Sequence, residues 1–207
     1  MKAMFRTATL FCTAILTLSV SLAVPAAAAP VPLADLSAYL NGIKTAESPF
    51  VQTNADGSKS SGRVVIQRPN RMRLEYAKPD KTLVLASGAS VAVFDPKSNQ
   101  PPDQYPLRKT PLNLILADRI DLARARMVVD HGEQDGMTTV TAQDPEHPEY
   151  GTIKLFFSAN PVALRQWIVT DGAGAKTRVV LSDLVMGKRY DATLFSISIA
   201  NSQRNER

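Results

Sequence analysis

Between residues 50 and 182 the sequence is cut into short runs of alternating apolar and polar residues, each closed by a turn signal. The runs are 50–53, 62–68, 71–76, 82–86, 91–95, 126–130, 138–142, 152–157, 163–170 and 177–182. Between them stand Asn54-Ala55-Asp56-Gly57, Lys78-Pro79-Asp80, Ser87-Gly88-Ala89-Ser90, Asn160-Pro161 and Asp171-Gly172-Ala173-Gly174. Side chains alternate across a strand, so each run presents one apolar face. Many short strands at this spacing predict an antiparallel meander that closes, or half closes, into a barrel. A last short strand is expected around 194–199.

Two segments have helical rather than strand spacing. Leu33, Leu36, Leu40 and Ile43 recur at helical intervals, with Asp35, Ser37 and Asn41 between them and Pro32 acceptable in the first turn. After a Pro-rich polar stretch at 96–109, read as a loop or irregular edge strand, Thr110 is expected as an N-cap with Pro111 at the first helical position. Leu112, Ile115 and Leu116 then line one face, helped by Leu114. A helix lying between two sets of strands is placed to cap an open sheet.

Within 62–76 two strands are joined at Arg68-Pro69-Asn70. Val64, Ile66 and Arg68 share one face, and Met72, Leu74 and Tyr76 share a face on the returning strand. An arginine thus ends an apolar row. It is either a rim charge or a buried donor that needs a partner. The apolar rows themselves admit two readings, an ordinary core under two helices or the wall of a cavity the helices do not fill. Periodicity does not separate them.

The 207 residues are enough for one domain. Residues 1–28 have the form of a cleaved secretory signal: Lys2 and Arg6, an apolar run over 8–24, and small residues at Ala26 and Ala28. Residues 29–207 would then form a single exported domain. Cys12, the only cysteine, falls inside the apolar run, so the mature chain has no thiol chemistry and no disulfide. The net charge of +5 drops by two with the loss of Lys2 and Arg6, and the basic residues are scattered. Neither a long basic run nor a nucleic-acid motif is present. Nucleophile elbow, phosphate-binding glycine loop and metal-ligand spacing are absent as well, so no cofactor or metal is expected and the chain is read as not an enzyme. His131 and His147 fall in turn or loop sequence. The loop carboxylates Asp80, Asp103, Asp144, Glu146 and Glu149 leave an acid pair open, because two such acids need only meet in space.

The order of these features resembles a known family. A short amphipathic helix precedes Phe50-x-Gln52, then come Gly62, Arg68-Pro69-Asn70, Tyr76-x-x-Pro79, the Gly88 turn, Val91-x-Val93-Phe94-Asp95-Pro96 and the Thr110–Leu116 segment. This arrangement is similar to the LolA family of periplasmic carriers of outer-membrane lipoproteins, over roughly residues 33–198. The resemblance implies a mainly β fold with an α lid: a half-open, incomplete antiparallel β-barrel with short helices covering the cavity. It implies a monomeric periplasmic chaperone that takes acylated lipoproteins from an inner-membrane ABC transporter and passes them to an outer-membrane receptor lipoprotein.

Arg68 would be the lid latch, bonded to backbone carbonyls around 114–117. Phe50, Val64, Ile66, Met72, Leu74, Tyr76, Leu83, Leu85, Leu112, Ile115 and Leu116 would line the cavity. The chain departs from the family in two places. Val65 and Leu74 stand where members carry tryptophans, the single tryptophan being Trp167, and nothing matches the Pro-Pro-x-Gly segment and further strand beyond 195–198. Other readings stay open: a periplasmic lipid or glycolipid transporter of similar fold, an envelope-interaction protein with a filled core, and a hydrolase with an acid pair.

Overall fold

A computed structural model describes residues 29–98, 100–110 and 112–205. The export signal read over 1–28 and the helix-initiating Pro111 lie outside the described residues. Twelve strands form one antiparallel sheet: β1 (Thr45–Thr53), β2 (Lys59–Gln67), β3 (Arg71–Tyr76), β4 (Leu83–Ser87), β5 (Ser90–Phe94), β6 (Asp103–Pro106), β7 (Val128–Gln134), β8 (Met137–Gln143), β9 (Thr152–Ala159), β10 (Val162–Thr170), β11 (Lys176–Leu181) and β12 (Val185–Met186). Among the described residues three α-helices accompany them, α1 (Leu33–Gly42), α2 (Asn113–Leu116) and α3 (Ile197–Asn205).

The strand order is β6-β5-β4-β3-β2-β1-β11-β10-β9-β8-β7, with β12 added beside β1. Each meander is built of neighbours in sequence, and the pairing of β1 with β11 joins the two. The ends of the path, β6 and β7, are not paired, so the barrel is open. Irregularities at Leu164/Gln166 in β10 and Val128/Asp130 in β7 interrupt the ladder, as bulges do where a sheet bends. The chain must cross from the β6 edge to the β7 edge, and α2 lies on that crossing. The helix therefore spans the opening because of the topology that leaves the opening.

Side chains on the concave face merge with the helices into one core. Phe50, Val64, Ile66, Met72 and Leu74 pack with Leu36 and Leu40 of α1 and with Leu114, Ile115 and Leu116 around α2. Register explains Gly62. It sits opposite Phe50 on one side and Tyr76 on the other, and those rings meet edge to face with centroids 5.1 Å apart. A Cβ on Gly62 would lie 2.3 Å from the Glu75 carbonyl oxygen and 2.7 Å from Phe50 Cζ. Two aromatic side chains from neighbouring strands thus close over a strand position that has no side chain of its own.

Three expectations are corrected. Residues 194–199 are not a strand: a 3-10 turn over Ala192–Phe195 leads into α3. Asp191 caps that turn by accepting from the Thr193 amide at 2.8 Å, and Ile197 and Ala200, three apart on a helix, pack against the outer face of the sheet. Thr110 does not cap α2, whose N-cap is Leu112; its hydroxyl instead donates to the Leu107 carbonyl at 2.8 Å. Finally, Leu83 and Leu85 do not face the concave side. They belong to a second cluster with Ala92, Phe94 and Ala200.

Candidate functional site

The turn between β2 and β3 is where the lid meets the sheet. Arg68 ends the inward row of β2 and is 8% exposed. Its guanidinium faces the C-terminal ends of both lid helices, where carbonyl oxygens have no partner inside the helix. From the α1 side it meets the Leu40 carbonyl, the Ile43 carbonyl at 3.4 Å and Asn41 Oδ1 at 3.2 Å. From the α2 side it donates to the Ala117 carbonyl from Nη2 at 2.6 Å and from Nε at 3.2 Å, and to the Asp118 carbonyl at 3.1 Å. Every N–H group of the side chain thereby has an acceptor. Burial lowers the pKa of Arg68, and the Asp118 charge acts the other way. An arginine nonetheless keeps its charge at neutral pH, so a cation is held almost entirely by backbone dipoles.

The same turn supplies a further contact. The Asn70 amide donates to the Leu116 carbonyl at 2.9 Å. Asn70 has φ of 59°, a left-handed conformation that asparagine adopts more readily than most residues. Arg68 and Asn70 together donate to three successive carbonyls, those of Leu116, Ala117 and Asp118. The resemblance anticipated carbonyls at 114–117. The Arg68 contacts on that side fall at Ala117 and Asp118, and α1 is bound as well.

The two lid segments are also joined to each other. Asn41 Nδ2 donates to the Ile120 carbonyl at 2.7 Å, and the Ile120 amide donates back to Asn41 Oδ1 at 3.0 Å. Ser37 Oγ accepts from the Leu122 amide at 3.0 Å. Ser37 and Asn41, read from sequence only as the polar positions between the leucines, face the lid rather than water. Their spacing of four along α1 was the available signal, because residues four apart share a helix face.

Of the residues expected to line the cavity, Phe50, Val64, Ile66, Met72, Leu74, Ile115 and Leu116 are buried together in the concave core, with Tyr76 and Leu112 half-buried at its margin. Tyr76 Oη donates to Gln52 Oε1 at 2.6 Å, and burial, helped by the Asp80 charge, pushes its pKa up to about 12. Leu83 and Leu85 must be removed from this set. The pairs Met72–Ala86 and Leu74–Val84 put Val84 and Ala86 inward and the two leucines outward. The concave face is thus closed by α1 and α2. Beside α2 a groove of about 330 Å³ remains, bordered by Leu114, Ile120 and Met127 and by Arg119, Arg124 and Arg126.

Of the loop carboxylates considered as an acid pair, Asp80, Asp144 and Glu149 have other partners. Asp80 accepts from Ser60 Oγ at 2.8 Å and from the Thr82 hydroxyl at 2.5 Å. Asp144 accepts from the Glu146 amide at 2.9 Å. Among the described residues no group of three or more His, Cys, Asp or Glu side chains is placed to hold a metal ion, and no helix is long and apolar enough to cross a membrane.

The family model described as outer membrane lipoprotein carrier protein LolA matches residues 41–198. An outer-membrane lipoprotein carrier protein of Chromobacterium violaceum is 30% identical over 172 residues, covering 80% of this chain and 81% of that protein. The protein of the same name from Xylella fastidiosa strain 9a5c is 32% identical over 164 residues, covering 73% and 76%. Among solved structures, a LolA superfamily protein of Nitrosomonas europaea is similar with a TM-score of 0.40 and 14% identity, over 80% of this chain and 98% of that one. An open antiparallel sheet under a helical lid, matched over most of its length by the family model, places the chain in the LolA family.

Proposed function

We propose that this chain is a periplasmic lipoprotein carrier. Residues 1–28 direct export, and the remainder forms one carrier domain with no reaction of its own. The carrier accepts the acyl chains of lipoproteins released by an inner-membrane ABC transporter, shields them against the concave face, and delivers them to a receptor lipoprotein at the outer membrane. The observation that carries this reading is Arg68, one guanidinium fastening both lid segments over a continuous apolar surface. The similarity to curated lipoprotein carriers supports the choice of cargo.

The energetics suit uptake followed by release. Burying one acyl chain of about fifteen methylenes gains on the order of 10 kcal/mol. A rigid, preformed cavity holding several such chains would release them too slowly. Here the empty state is stabilised by the lid's own burial and by the charged hydrogen bonds of Arg68. Affinity is the difference between the two, and a ligand shifts the lid only by its differential affinity for the open form. Closing the lid behind departing cargo favours hand-off.

Depletion in the native organism tests the cargo and direction. The expected result is accumulation of outer-membrane lipoproteins in the inner membrane within a few generations. Unchanged lipoprotein distribution after full depletion would contradict the proposal.

A further inference from the structure

The groove beside α2 has a chemistry that lid closure does not use. Its floor is apolar. Leu114 and Ile120 belong to the concave core itself, and Met127 packs against that core, so the groove adjoins the surface the lid covers. Its rim is cationic. Arg124 lies 3.7 Å from Asp121, which also lines the groove. Arg119 and Arg126 are exposed and form no ion pair or side-chain hydrogen bond among the described residues. Two unengaged guanidiniums thus border a volume of about 330 Å³ over an apolar floor.

We infer that this groove is a headgroup site for an anionic phospholipid, with Arg119 and Arg126 binding the phosphodiester and the floor receiving the first carbons of its acyl chains. The planar guanidinium fork matches phosphate oxygens bidentately. A phosphodiester joined to acyl chains fits both parts of the groove, whereas an acidic peptide fits only its rim. Asp121 offsets Arg124 and leaves the two free arginines for one anion. The acyl part of the inference rests on the carrier reading, because the chains would run from the groove onto the concave face as the lid lifts. The lid would then admit a second class of acylated ligand, selected by headgroup charge.

Titration calorimetry on the mature chain tests this with four probes: dioctanoyl phosphatidylglycerol, dioctanoylglycerol, glycerol 3-phosphate and a short Asp/Glu-rich peptide. The expected result is binding of the phospholipid at least tenfold tighter than the uncharged diacylglycerol. Arg119→Gln and Arg126→Gln should each reduce that preference about tenfold, the order a charge-assisted hydrogen bond is worth. The double variant should lose the preference while its circular dichroism stays native. Equal affinity for the two lipids, or an unchanged preference in the double variant, would overturn the inference. So would glycerol 3-phosphate or the peptide binding as tightly as the phospholipid through the same arginines. A parallel titration with a triacylated lipopeptide separates this from the carrier reading. Lipopeptide binding without the phospholipid preference removes only the headgroup site, and the preference without lipopeptide binding removes only the lipoprotein cargo.

Discussion

On the concave side of β3 and β4, Met72, Leu74 and Ala86 lie beneath the lid; on the convex side, Leu83, Leu85 and Phe94 lie beneath α3. The two covers are fastened differently. Between residues 112–118 and the sheet, the hydrogen bonds among the described residues come from one turn, through Arg68 and Asn70. The C-terminal cover is tied at many places. Glu47 accepts from Arg63, Lys188 and Tyr190; Arg73 donates to the Leu194 carbonyl at 3.1 Å; Arg204 reaches the Asp95 and Ser98 carbonyls and lies 5.5 Å from the centre of the Phe94 ring. β12 adds main-chain pairing to β1. A segment such as 112–118, fastened at one turn, lifts when that turn lets go, whereas a cover fastened along its length lifts only with the fold. On the proposed function, the moving part is the 112–118 segment of the concave cover and the convex cover stays in place.

The largest expected effect comes from distorting the sheet that carries both covers. Gly62→Ala drives a Cβ into the Glu75 carbonyl and the Phe50 ring, and no rotamer relieves a backbone clash. A loss of about 3 kcal/mol or more is expected, read by urea denaturation, with lid and back cover failing together. A variant that stayed within about 0.5 kcal/mol of the parent would show the Phe50–Gly62–Tyr76 row to be less tightly packed than described.

Next in size is a matched pair of truncations. Leu116 and Leu85 are both fully buried, one on the inner side of the lid and one under α3. Leu85→Ala should cost about 2–4 kcal/mol and leave the rate of acyl-lipid uptake unchanged. Leu116→Ala should cost a comparable amount and speed the entry of an environment-sensitive apolar dye. Identical dye kinetics in the two variants would erase the distinction between the faces.

Smaller still is an effect of acid on the convex cover. Lys188, then Arg63 and Tyr190, hold the Glu47 carboxyl down to about 2, against an ordinary value of 4.5. Because the folded pKa is depressed, the stabilisation is present above pH 4.5 and is lost as pH falls toward 2. The parent's melting temperature should fall across that window more steeply than that of Glu47→Gln, with dye uptake at neutral pH alike in both. Parallel melting curves would mean that Glu47 does not fasten the C-terminal segment.

What could be read from the sequence follows the range of the interactions. Alternation and turn residues marked the strands of both meanders, since those signals are local. They also fixed that Leu83 and Leu85 share a face, but Val84 and Ala86 on the other face are apolar too. Only the β3–β4 register decides which pair points inward. Phe195, Ile197 and Ile199 alternate as a strand would, yet the contact that decides the segment is the i, i+3 pair Ile197 and Ala200 against the convex cluster, while Ile199 is 38% exposed. Arg68 stood out as an arginine ending an apolar row. Its acceptors lie 25 to 28 residues before it and 49 to 50 after it, a convergence that local pattern does not contain. The resemblance supplied one side of that contact, and α1 with Ser37 and Asn41 came only from the fold.

The central claim is that Arg68 holds the empty lid shut and so favours release. The direct measurement is a reconstituted two-step assay with Arg68→Leu, scoring uptake of a lipoprotein from its donor and transfer to its acceptor separately. Uptake should be at least as complete as in the parent and transfer slowed about tenfold or more, since charged hydrogen bonds favouring the closed state are lost. Transfer at the parent rate, with the lid contacts removed, would contradict it.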